Sequence, residues 1–289
     1  MLVLSSLFAC SDKSPKDTAY DVATAYGSCD SPEDSLVFVF STVSYARRDG
    51  DTVWGFDLDD HESDSNDDEG CYHADLSTPD GTPGIDNALS GLIPALEATE
   101  AVALETLIQT AINTGELLLI VEVTGVDDVQ NDDCVSVGIY RATGTPLVGT
   151  DGFLLDGQSF NLDLSLPSDH VTEMAIQDGR LTAKPLEIQL PVQVLDEFLN
   201  IEMYNGGVQL DIHEDGSATG FFGGGIPISF FIDIATLPDV NLPDAVVSLM
   251  GAAADLDPDE NGDCQQLSVA LMVEALPAHL YSNSESPSD

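Results

Sequence analysis

The chain has 289 residues, of which 43% are hydrophobic and 7% aromatic, enough to bury a substantial core and too apolar for wholesale disorder. Against 52 Asp and Glu stand only 7 Lys and Arg, a formal net charge of −45. That balance excludes nucleic acid, whose binding needs cationic neutralisation of phosphate, and it sets the chain against anionic membrane surfaces. Asp outnumbers Glu by more than two to one and gathers with Gly, Asn and Pro. Exposed helix faces favour Glu, whereas Asp in turns bends back to backbone amides or converges on a cation. The charge therefore belongs to loops, where it serves either solvation, as in salty surroundings, or ion binding.

At the N-terminus, "MLVLSSLFAC" is a short apolar stretch ending at Leu7-Phe8-Ala9-Cys10. It resembles the lipobox of bacterial lipoproteins, and the chain as a whole resembles Gram-negative-type surface lipoproteins with Asp-rich loops. The resemblance implies a signal segment over residues 1–10, acylation of Cys10, and an extracytoplasmic protein held at the outer membrane or cell surface by lipid alone. Residues 11–34 are polar and aperiodic and read as a tether. The remaining Cys29, Cys71, Cys134 and Cys264 suit two disulfides in an exported protein, with three connectivities open.

Residues 35–280 read as one β-rich domain, with a boundary between two halves conceivable near residue 145. "SLVFVFSTVSYARRDGDTVWGFDL" predicts two strands around a Gly-containing turn. The second strand leads into "DLDDHESDSNDDEG", where like charges ~4 Å apart repel by about 1 kcal/mol in water. A divalent cation turns that cost into attraction, so Asp57, Asp59, Asp64 and Asp67 are candidate ligands. His61, Cys71 and His73 lie close by, but a disulfide at Cys71 would deny zinc its thiolate. A helical segment follows over about 86–114, with a kink or break at Pro94.

Beyond it the chain alternates in strand-like runs. Turns are expected at Asp178-Gly179, Gly206-Gly207 and Asp215-Gly216, and short helices near 226–254. "GFFGGGIP" suits close backbone packing better than nucleotide binding. The fold class that results is α+β: mainly an antiparallel sheet or barrel with helices on one side. In "DLDPDENGDC", Asp257, Asp259, Asn261 and Gly262 resemble the first half of an EF-hand or dockerin calcium loop, which Asp255 or Asp263 would complete. Asn-x-Asp-Cys occurs at both 131 and 261, through either a duplicated half or a recurring way of turning into a strand beside a disulfide.

Residues 281–289 read as a disordered tail. No catalytic signature stands out: G-x-S-x-G, H-E-x-x-H and the phosphate-cradling G-x-x-x-x-G-K are all missing. The expectation is a lipid-anchored protein with calcium-stabilised acidic loops and a structural or adhesive role, whose protein or glycan partner the sequence does not name. An exported hydrolase acting on polysaccharide or ester, and a small-molecule carrier with an apolar barrel interior, are the alternatives.

Overall fold

A computed structural model of the chain describes residues 29, 35–68, 70–98, 104–163, 168–194, 197–236 and 244–281. The expected lipid attachment at Cys10, nearly all of the tether and most of the tail lie outside these residues.

Among the described residues, ten strands and four helices follow one another as β1 (Leu36–Tyr45), α1 (Leu89–Glu97), α2 (Leu104–Thr114), β2 (Leu118–Thr124), β3 (Asn131–Thr143), β4 (Gln158–Leu162), β5 (Asp169–Gln177), β6 (Arg180–Val194), β7 (Glu197–Ile212), β8 (Ala218–Pro227), α3 (Ile228–Thr236), α4 (Asp244–Ala252), β9 (Leu256–Pro258) and β10 (Cys264–Leu280). Eight of the strands close into an antiparallel barrel in the order β1, β2, β3, β5, β6, β7, β8, β10, with β10 returning to β1. Closure leaves no free sheet edge around the ring, which is how all-β chains avoid edge-to-edge association. Strands from both sides of residue 145 contribute to the same ring. The α+β barrel reading of the sequence holds.

The strand sequences explain the closure. β2, Leu118-Leu-Ile-Val-Glu-Val-Thr124, is buried at six of its seven positions, and β8 at eight of ten. Such unbroken burial marks strands covered on both faces. Helices supply part of the cover: α2 packs on β1, while α1, α3 and α4 touch β10. Leu89, Leu92, Ile93 and Leu96 of α1 are all buried in the main core, as their helical spacing predicts. Pro94 lies inside α1, which runs on to Glu97, so the expected break falls after the helix rather than at the proline. Among the described residues no helix is long and apolar enough to cross a membrane.

One turn assignment and one strand assignment need correcting. Asp178-Gly179 and Asp215-Gly216 do separate β5 from β6 and β7 from β8, but Gly206-Gly207 lies within β7, at an irregularity in its pairing with β8. A Cβ on Gly206 would sit 2.4 Å from the Gly223 carbonyl oxygen, and one on Gly223 would sit 2.1 Å from that of Val269. The glycines of β7 and β8 therefore allow backbones to approach where a turn was expected. The strand expected after Asp51 is likewise absent as a partner of β1. The turn at 49–52 forms, but residues 46–58 then pair only through isolated bridges, Thr52 with Ser77 and Phe56 with Asp86. This excursion closes over a second, smaller core of Ala46, Val53, Phe56, Leu58, Ile85, Phe221, Leu256 and Ala270.

Candidate metal centre

Two disulfides fix the connectivity that the sequence left open: Cys29 with Cys134 and Cys71 with Cys264, at Cα separations of 5.3 and 6.0 Å. The second ties the acidic loop after Asp57 to the Asp-rich loop before β10, so the two segments singled out for calcium are covalent neighbours. It also occupies the sulfur that a zinc site with His61 and His73 would need.

Within this region Phe56 and Leu58 are buried in the small core, and Asp57 and Asp59 alternate with them as the chain enters a bend at 58–60. The amide of Asp86 donates to the Phe56 carbonyl at 2.8 Å, and the amide of Leu58 donates to a carboxylate oxygen of Asp86 at 2.7 Å. That reciprocal pairing brings Asp57, Asp59 and Asp86 together, one ligand oxygen from each lying within 4.8 Å of the others. The triad can hold a metal ion.

Its electrostatics are those of a site short of positive charge. Asp86 is only 4% exposed, and burial pushes its carboxyl up to about 9, against the Leu58 amide and with the charges of Asp59, Asp255 and Asp75 adding to the rise. Burial also raises Asp57, whose Oδ1 is shut away from solvent without a hydrogen-bond partner. Lys184 answers part of this charge and lowers Asp57, but its ammonium donates to the Asp57 carbonyl at 2.7 Å and lies 3.6 Å from the exposed Asp60. A buried acceptor left unmatched costs about 1–3 kcal/mol, a cost that a bound proton or cation would remove.

The side chains of the other candidate ligands, Asp263 apart, are engaged elsewhere. Asp64 accepts the backbone and side-chain N–H groups of Asn66, and Asp67 pairs with His61 at 2.7 Å. Asp255 is buried against β10, taking the Ser268 amide at 2.8 Å and the Ser268 hydroxyl, whose oxygen in turn accepts the Ala88 amide at 2.7 Å. Burial raises Asp255 to about 6, offset by those Ser268 bonds. Asp257 accepts from Gln266, and Asp259 Oδ1 accepts the amides of Asn261 and Asp263 at 2.8 and 3.0 Å. The segment 257–263 thus closes on its own amides, in the manner of an Asx turn. Asp263 gives its amide to this turn and its carbonyl to Gln265.

Sequence reasoning reached Asp57 and Asp59 and missed Asp86, the buried member. Asp86 stands outside the acidic run, between buried Ile85 and Asn87, and the Phe56–Asp86 bridge brings its carboxylate to the Leu58 amide across a gap of 28 residues. The one local sign is a charged residue beginning a helix entry, where Asn87 accepts the Ser90 amide at 3.3 Å. Two surface recesses lie elsewhere, one lined by Gln177, Arg180, Thr182 and Asp211 and one by Asp169, Glu187, Gln189 and Asn205, and neither includes the triad. No family model, no curated protein and no solved structure matches this chain.

Proposed function

We propose that Asp57, Asp59 and Asp86 bind calcium, and that the ion pins the excursion over residues 46–88 to the barrel of a lipid-anchored extracytoplasmic protein with a structural or adhesive role. One observation carries this reading: three carboxylates converge, the deepest at 4% exposure, with a partnerless buried oxygen among them. The donors are all oxygen, the choice of a hard cation, and the triad has neither the nitrogen nor the sulfur that selects zinc or copper. Loop-borne carboxylates with water completing the shell suit the adaptable coordination of calcium better than the strict octahedron of magnesium. Two disulfides fit an oxidising compartment, where calcium is plentiful.

Extracellular modules bind calcium with Kd of about 0.1–1 mM. At ten times Kd, one site adds about 1.4 kcal/mol, and a chain of this size should melt ~2–5 °C higher in calcium than in chelator. Superimposable melting curves, with no ion retained on equilibrium dialysis, would reject the site. Barrel closure also suits a small-molecule carrier, and the two readings part at this experiment, since a carrier needs no ion.

The anchor is tested separately. Intact-mass measurement of the protein isolated from its native membrane should find Cys10 as the first residue, bearing two or three acyl chains. An unmodified thiol at Cys10 would leave the protein without its tether.

A further inference from the structure

The connection between β3 and β4 is a small hairpin. Val148 bridges to Leu154, the Gly149 amide donates to Phe153 at 2.8 Å, and the Leu155 amide donates to Leu147 at 3.0 Å. This pairing places Val148 and Leu154 on one face and Leu147, Phe153 and Leu155 on the other. On the first face Leu154 is buried at 5% exposure and Val148 is open at 39%, while on the second Leu147, Phe153 and Leu155 all stand out at 64%, 44% and 46%. An antiparallel hairpin with one solvated face ordinarily turns polar side chains outward, and here the outward face is apolar.

The face is also held in place. The Gln158 side chain accepts the Leu147 amide at 2.6 Å and donates to the carbonyls of Leu147 and Leu155 at 3.0 and 2.6 Å. Asn113 of α2 donates to the Gly152 carbonyl at 2.7 Å, and the Gly157 amide donates to Pro277 at 2.8 Å. A rigid apolar display loses little conformational entropy when something covers it.

Charge says what that is. The sequence has no Lys or Arg between Arg141 and Arg180, while Asp151 and Asp156 are exposed on the hairpin and Glu116 is exposed beside Arg141, whose guanidinium donates to its carbonyl at 2.8 Å. A second copy would set these carboxylates, and a net charge of −45, against their own kind. Anionic lipid is repelled in the same way. We propose that Leu147, Phe153 and Leu155 form a docking face for a cationic partner protein that covers them with an apolar patch and answers the surrounding carboxylates with Lys or Arg. This proposal is independent of the calcium site.

The probe is an amphipathic helical peptide of Leu and Lys, titrated against the purified protein, with a Leu–Glu peptide as control. The Leu–Lys peptide should bind the native chain, more weakly as salt rises, and about tenfold or more weakly to the Leu147→Ser/Phe153→Ser/Leu155→Ser variant. Because these side chains point outward, that variant should melt as the native chain does. Asp156→Lys, which leaves the apolar face intact, should also weaken binding. Equal binding to native and triple-Ser proteins, or equal binding of the two peptides, would overturn the proposal. So would self-association in sedimentation, or flotation with phosphatidylcholine vesicles, if the triple-Ser variant abolishes either one.

Discussion

Replacing both Cys71 and Cys264 by Ser should lower the unfolding free energy by about 5 kcal/mol, the chain-entropy value for a loop of such length. The bridged cysteines are 193 residues apart, so the loop spans almost the whole sequence from the excursion to the last strand. Single domains are stable by roughly 5–15 kcal/mol, which makes this a loss of a third or more. Removing Cys29–Cys134, whose separation is 105, costs nearly as much by the same logarithm. The two variants differ at the metal centre. Cys71 lies on the loop that leaves Asp57 and Asp59, and its disulfide holds that loop to the strand whose Ser268 takes the Ala88 amide, two residues beyond Asp86. Calcium should therefore raise the melting temperature less in the Cys71→Ser/Cys264→Ser protein and as much as before in the Cys29→Ser/Cys134→Ser protein. Denaturant titrations under non-oxidising conditions, with and without calcium, read both effects. A Cys71→Ser/Cys264→Ser protein within 1 kcal/mol of the native chain would show that the staple adds little to what packing already supplies.

Much of the barrel was legible because its signals are local. The β-branched runs of β1 and β2 and the Asp-Gly turns at 178 and 215 all act over a few residues. Gly206-Gly207 misled for the same reason: a glycine pair looks alike whether the chain turns or another backbone approaches, and only the proximity of Gly223 decides. The excursion was illegible in a different way. Its residues Val53-Trp54-Gly55-Phe56 have strand composition, yet β1 spends its edges on β2 and β10, so they fold onto Ile85 and Phe221 instead. The site followed suit. Density of charge pointed to residues 57–69, but density also lets side chains find nearby amides, as Asp64 and Asp259 do. What sets Asp86 apart is burial, which the sequence does not display.

Without divalent cations the protein should lose stability steadily as pH rises from about 4 to about 9, and Asp86 should be the largest single contributor. Asp86 has an ordinary value of 3.8 and is raised to about 9 by burial, with neighbouring Asp59, Asp255 and Asp75 adding to it. Between those values the folded state keeps a proton that the unfolded chain releases. The folded form therefore binds more protons, and the unfolding free energy falls with pH until the folded group ionises. Asp255 contributes over a shorter window that ends near 6, and Glu122, raised by burial alone, acts in the same direction. Carboxylates held down by amides, such as Asp132 and Asp259, oppose this only below the ordinary carboxylate value, where their protonation removes stability. Over the whole window the Asp86 share is on the order of 7 kcal/mol, at ~1.36 kcal/mol per pH unit. Asp86→Asn keeps an oxygen for the Leu58 amide and carries no charge, so at pH 8 in chelator it should be more stable than the native chain, by a few kcal/mol, with a flatter pH profile. It should also lose the calcium response, since a neutral amide cannot replace the buried carboxylate on the ion. In the native chain calcium should flatten the profile as well, because the ion takes the place of the proton. Urea titrations at pH 5, 6.5 and 8, in calcium and in chelator, separate these cases. An Asp86→Asn protein less stable than native at pH 8 in chelator would mean that the carboxylate is satisfied as an anion without any ion, and the site would lose its reason to bind one.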